Sequence, residues 1–155
     1  MTHTASFGPP EQGRPGFRTV AGAATGLERL LLAVGRLPPG DHGPAHVHVG
    51  EEILHVLSGR LRLRLGDARL DAGPGTVVAV PAGVVHGFDV AEEAVLEVVA
   101  EQGIGTLYRV RDSDGAVRLV EVHRHDMPWG RPPPEGADWT SDEDLRRILD
   151  NLSPD

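Results

Sequence analysis

The chain contains no cysteine. That excludes a disulfide framework, a thiol nucleophile and any cysteine-based zinc or iron–sulfur site. It contains no lysine either, so all fifteen basic residues are arginine. GC-rich codon usage accounts for that bias and points to a bacterial source without bearing on mechanism. No apolar run approaches the ~18 residues of a transmembrane helix. The first eighteen residues lack the apolar core of a secretory signal and carry Pro9, Pro10 and Pro15. The cytoplasm is therefore the expected compartment. Positive charge is scarce: the net charge is −8, whereas a general nucleic-acid binder presents a basic patch to the phosphates. No helix-turn-helix pattern is attached. Neither a nucleic acid nor a membrane is an expected partner.

What is abundant is turn-forming residues and histidine. The 155 residues suit one domain with a real core. Glycine (20) and proline (13) make up about a fifth of the chain, too much for a helical bundle and well suited to short strands joined by turns. There are eight histidines, the commonest metal ligand among side chains.

The pattern along the chain predicts an all-β fold. Residues 1–18 read as a flexible arm. Strands are expected over 27–34, 53–57, 60–65, 68–71, 76–80, 84–90, 94–100, 106–111 and 117–123. Arg60, Arg62 and Arg64 alternate with Leu61, Leu63 and Leu65, which makes one wet and one dry face. Gly66-Asp67 suits a two-residue turn, and Asp112-Ser113-Asp114-Gly115 another hairpin turn. Strands at this near-regular spacing predict an antiparallel sandwich or barrel over 19–125. Residues 126–155 read as a Pro-rich linker and a short C-terminal α-helix over 141–152. In that helix Leu145, Ile148, Leu149 and Leu152 form an apolar stripe.

One stretch carries chemistry. His46 and His48 are two apart, so on a strand both imidazoles lie on one face, ~7 Å apart along the chain. Glu52 adds a hard anionic donor. Further on, Pro81-Ala82-Gly83-Val84-Val85-His86 places a third histidine just after a turn. A His/His/Glu set suits a divalent first-row metal with positions left open for substrate.

These residues resemble the two motifs of the cupin superfamily, in its small single-domain (monocupin) bacterial form. The first motif is G-x5-H-x-H-x3-E-x6-G, and Gly40, His46, His48, Glu52 and Gly59 match it without a gap. The second is G-x5-P-x-G-x2-H-x3-N. Gly75, Pro81, Gly83 and His86 match it, while Val90 stands at the final Asn. The resemblance implies a double-stranded β-helix, the cupin jelly-roll barrel, with one metal ion held by His46, His48, Glu52 and His86. Glu51 is expected to point outward, and His55 away from the metal. An exposed pair is the expected reading of His123 and His125.

The ligand set does not choose among iron, manganese, nickel and zinc. Three neutral imidazoles and one carboxylate leave the ion near +1, which suits a small anionic organic substrate. Tyr108, Arg36 and His42 are the candidates to anchor or protonate it. The leading expectation is a metal-dependent, dioxygenase-type oxidoreductase. A redox-neutral isomerase, cyclase or lyase and a non-catalytic small-ligand binder are the alternatives. The resemblance also favours a homodimer.

Overall fold

Alternation and turn chemistry set the elements, and long-range pairing sets how far each one runs. The computed structural model describes residues 16–48, 50–101, 105–123 and 137–138. Within them lie ten strands: β1 Gly16–Ala21, β2 Leu30–Leu37, β3 His42–His48, β4 Glu52–Leu65, β5 Ala68–Ala72, β6 Val77–Val80, β7 His86–Glu101, β8 Gly105–Arg111, β9 Val117–His123 and β10 Ala137–Asp138. All pairings are antiparallel.

The strand order is β1-β2-β7-β3-β8-β10, with β4 added to β7, β5 and β6 to β4, and β9 to β8. This corrects the expected closed barrel, because the sheet is open. One edge of β4 pairs with β7, and the other is taken up by β5 along Leu61–Leu65 and by β6 along Glu52–His55. β5 and β6 pair with nothing else, and β9 pairs only with β8. No ladder among the described residues joins these ends. The expected α-helix over 141–152 lies outside the described residues. Within them the only helical element is a three-residue 3₁₀ turn, Ala23–Thr25. No helix there is long and apolar enough to cross a membrane.

Other boundaries shift as well. Gly16–Arg18, assigned above to the arm, begin β1 and pair with Val34–Arg36. Ser58-Gly59, read as a strand end, is an irregularity inside the continuous β4. Gly59 has φ +78°, and a Cβ there would overlap the Glu93 carbonyl oxygen. Glycine therefore lets β4 stay paired with β7 across the kink. Of the strands expected over 84–90 and 94–100, residues 86–90 and 94–100 run together as one long β7, while Val84 and Val85 belong to the loop before it.

The core follows the pleat. Leu61 and Leu63 on β4 are buried, and Arg62 between them is exposed. On β7, Ala94, Leu96, Val98 and Ala100 are buried in alternation. Leu31, Ala33 and Leu37 of β2 complete the same cluster. Each fully buried Leu or Val is worth ~1.5–3 kcal/mol over leaving it in water. Val90, which departs from the family motif, packs in this core and exchanges backbone hydrogen bonds with Gly40 and Asp41.

Candidate metal centre

Three separate segments bring the site together. His46 and His48 sit near the end of β3, Glu52 opens β4, and His86 opens β7. Gly83, at φ +75°, shapes the turn before His86. Its N–H donates to the His48 carbonyl at 2.8 Å, and Val84 N–H donates to the Pro81 carbonyl at 3.2 Å. The loop carrying His86 is thus stitched to the strand carrying His48. On the ladder, His46 lies directly opposite His86.

The β3–β7 pairing is irregular at this point. Its partners run His42–Asp89, Gly43–Phe88 and then His46–His86. β3 advances three residues while β7 advances two, so β3 carries one extra residue. Such a bulge turns the strand over. His46 therefore shares the inward face of His86. His42, which would share that face in a regular strand, is exposed on the opposite face beside Asp89.

The donor atoms converge. One ligand atom from each of His46, His48 and His86 lies within 4.8 Å of the others. The Nε2 atoms of His46 and His48 are 3.1 Å apart. The Glu52 oxygens lie 3.3 Å from His48 Nε2 and 3.5 Å from His86 Nε2. Donors ~2.1 Å from one ion stand about 3.0–3.4 Å from each other at right-angle to tetrahedral geometry, so these spacings fit a single ion. His48, Glu52 and His86 are buried.

His86 supplies the sharpest fit. Its Nδ1 lies 2.9 Å from the Val84 carbonyl. A carbonyl only accepts, so in the neutral ring Nδ1 carries the proton and Nε2 presents a lone pair. That Nε2 is buried without a hydrogen bond, a costly arrangement unless something takes the lone pair. A divalent ion is the species that this nitrogen and its neighbours would hold.

The electrostatics agree. Burial alone would raise the Glu52 carboxyl, but the adjoining His48 and His86 rings, in their protonated form, outweigh it. They hold the group well below the usual carboxylate range. Glu52 is thus an ionised donor at neutral pH. Glu51, next to it, is exposed.

The remaining candidates are not brought to this cluster. Arg36 faces away from the core between Gly35 and Leu37, and its Nη2 donates to Glu93 at 2.7 Å. Tyr108 sits on β8 opposite Val120, and its side chain lies outside what the structure describes. His55 is half-buried with Nδ1 3.4 Å from Glu97, on the face opposite Leu54 and Glu52. His123 ends β9, and His125 and His3 lie outside the described residues. Sequence reasoning missed the Val84 carbonyl. A backbone acceptor leaves no mark in the side-chain pattern; only its place two residues before His86 hinted at it.

No curated protein matches the chain by sequence. Among solved structures, the polyketide cyclase RemF from Streptomyces resistomycificus is similar at 30% identity, with a TM-score of 0.50 over 55% of this chain. The match spans 63% of the cyclase's length. TT1209 from Thermus thermophilus is similar at 28% identity and TM-score 0.51, over 59% of this chain and 86% of that one. A salicylate 1,2-dioxygenase variant from Pseudoaminobacter salicylatoxidans shares the fold at 17% identity and TM-score 0.51, over 55% of this chain and 24% of that one. Residues 33–100 match the family described as a cupin domain. That segment holds all four converging side chains, and with the likeness to these structures it places residues 33–100 in the cupin superfamily.

Proposed function

We propose that this protein is a metal-dependent enzyme acting on a small organic anion, with His46, His48, His86 and Glu52 as the ligands of one divalent ion. The observation that carries this is the His86 Nε2 lone pair, buried without a hydrogen bond and facing two further imidazoles and an ionised carboxylate. A divalent ion there supplies Lewis acidity toward a carbonyl, enolate or phenolate oxygen. The chain's own residues set the conditions. Three neutral imidazoles and one carboxylate leave a net positive site that attracts an anion. The Val84 carbonyl holds the His86 tautomer. Leu54 and Val56, buried on the Glu52 face of β4, keep water from that side.

Redox-neutral chemistry, of the kind that closes or isomerises a ring, is the reading with most support. The relative at 30% identity is a polyketide cyclase, whereas the likeness to a dioxygenase is one of fold only. The dioxygen-using reading, which led on sequence grounds, now rests on the ligand set alone. The deciding experiment is anaerobic reconstitution with zinc, nickel, manganese and iron in turn, followed by assay against enolisable aromatic and carboxylate substrates. Turnover without oxygen by the zinc or nickel form is the expected result. Oxygen uptake that requires iron would replace it with the dioxygenase reading. Binding without product under every metal would replace it with a ligand-binding role.

A further inference from the structure

The metal centre is not equally enclosed on all sides. His48, Glu52 and His86 are buried, whereas His46 is half-buried. The ladders show what adjoins it on the inward face. His86 lies opposite His46 on one flank and Leu65 on the other, and Leu65 lies opposite Ala68. The next inward row runs Gly43, Phe88, Leu63 and Leu70. Residues directly opposite in an antiparallel ladder share a face, so both rows look the same way as the histidines.

Exposure grows along these rows with distance from the core. Leu63 is 2% exposed, Leu65 and Phe88 are half-buried against the core cluster, and Leu70 is 37% exposed. The Phe88 ring lies against Gly43, where a Cβ would come within 2.7 Å of it, so the bare glycine lets the ring reach across to β3. Charged neighbours such as Arg62, Arg64 and Arg69 occupy the alternate positions and take the other face. Among the described residues, these two rows carry no charged or hydrogen-bonding side chain other than His46 and His86.

We propose that Leu65, Leu70 and Phe88 select the substrate. They form an apolar seat beside the metal centre, and it takes the hydrophobic body, aromatic or aliphatic, of an organic anion whose charged end reaches the ion. This rests on the reading of His46, His48, Glu52 and His86 as ligands of one ion. An apolar body gains because it covers Leu65 and Leu70 and so takes exposed apolar surface out of water. Polyhydroxylated acids are rejected, because the seat offers their hydroxyls no partner and a hydroxyl stripped of water without one is costly. Two strand spacings separate β7 from β5, ~10 Å in all, which is enough for a body of two fused rings.

Calorimetric titration of the full chain, nickel-loaded and metal-free, with acetate, galacturonate and 1-naphthoate tests this. On nickel-loaded protein 1-naphthoate should bind about tenfold or more tighter than acetate, and galacturonate no tighter than acetate. Leu65→Ser should weaken 1-naphthoate by about fivefold or more, with acetate within about twofold and nickel content unchanged. Leu70→Ser, at the more exposed position, should act in the same direction by about twofold or more, and it carries the comparison if Leu65→Ser does not fold. Metal-free protein should still bind 1-naphthoate at millimolar concentration, weakened by the same substitutions. A chain that takes up no nickel therefore removes the metal reading, while that binding still decides on the seat. 1-Naphthoate bound no tighter than acetate, galacturonate bound tighter than acetate, or an advantage that both variants leave intact overturns the proposal. So do variants that halve the mass in solution without changing 1-naphthoate binding, which would make this face a contact between copies of the chain.

Discussion

His86 holds its Nδ1 on the Val84 carbonyl, 2.9 Å away, and that contact decides which ring nitrogen faces His46 and His48. Purified protein should accordingly take up about one divalent ion per chain. His86→Ala and His48→Ala should each lose most of it, since each removes a direct ligand from a small set. Elemental analysis of protein prepared without chelator, before and after reconstitution, measures this. Wild-type protein that stays metal-free after reconstitution would remove the site assignment.

Neighbouring glutamates make a controlled comparison. Glu52 is buried against His48 and His86, and Glu51 is exposed. Glu52→Gln should weaken metal binding by at least tenfold, while Glu51→Gln should leave it within twofold, roughly the difference between a ligand and a solvated surface charge. Competition with a chromogenic chelator reads both. Equal effects would mean that the β4 register is off by one residue.

The acid limb of stability has a defined sign. Folding lowers the Glu52 pKa because the His48 and His86 contacts outweigh burial. The native state therefore binds fewer protons than the unfolded chain in that range. Its stabilisation is complete above the ordinary carboxylate value of ~4.3 and drains away as pH falls through the lower native value. Urea unfolding of chelator-treated protein should show wild type losing stability below about pH 4.3 more steeply than Glu52→Gln. Parallel curves would show that Glu52 is not the ionised group.

Gly59 separates backbone effects from chemistry. Its positive φ and the close Glu93 carbonyl leave no place for a methyl group. Gly59→Ala should cost ~1–3 kcal/mol or more, seen as a lower urea midpoint, with one metal ion per chain retained once folded. An unchanged midpoint would mean that β4 does not depend on this irregularity.

The outward face of β2, β4 and β6 exposes Leu30, Ile53 and Val77, an apolar strip that suits the homodimer expected from the family resemblance. Light scattering should give twice the chain mass at micromolar protein, and Ile53→Glu should reduce it to the single-chain mass. A single-chain mass for the wild type would end this reading.

The sequence by itself determined what short-range geometry controls. Because a strand repeats every two residues, His46 and His48 had to share a face, and Leu61 and Leu63 had to part from Arg62. Turn residues at Gly66-Asp67 and Pro81–Gly83 marked where the chain reverses. Tertiary structure alone decided what depends on register between segments remote in the chain. The extra residue in β3 turns His42 away from His46, and it is visible only against β7. Ser58-Gly59 ends a strand by local rules, yet pairing with β7 carries β4 through it. The sheet stays open because β5 and β6 occupy the far edge of β4. The lone pair of His86 points inward because a backbone carbonyl two residues earlier holds the other nitrogen. Arg64 and Arg69 become neighbours only once β4 and β5 zip together. Periodicity fixes the face a side chain takes within its own strand. Which other strand it then meets is decided by hydrogen-bond ladders that no local pattern encodes.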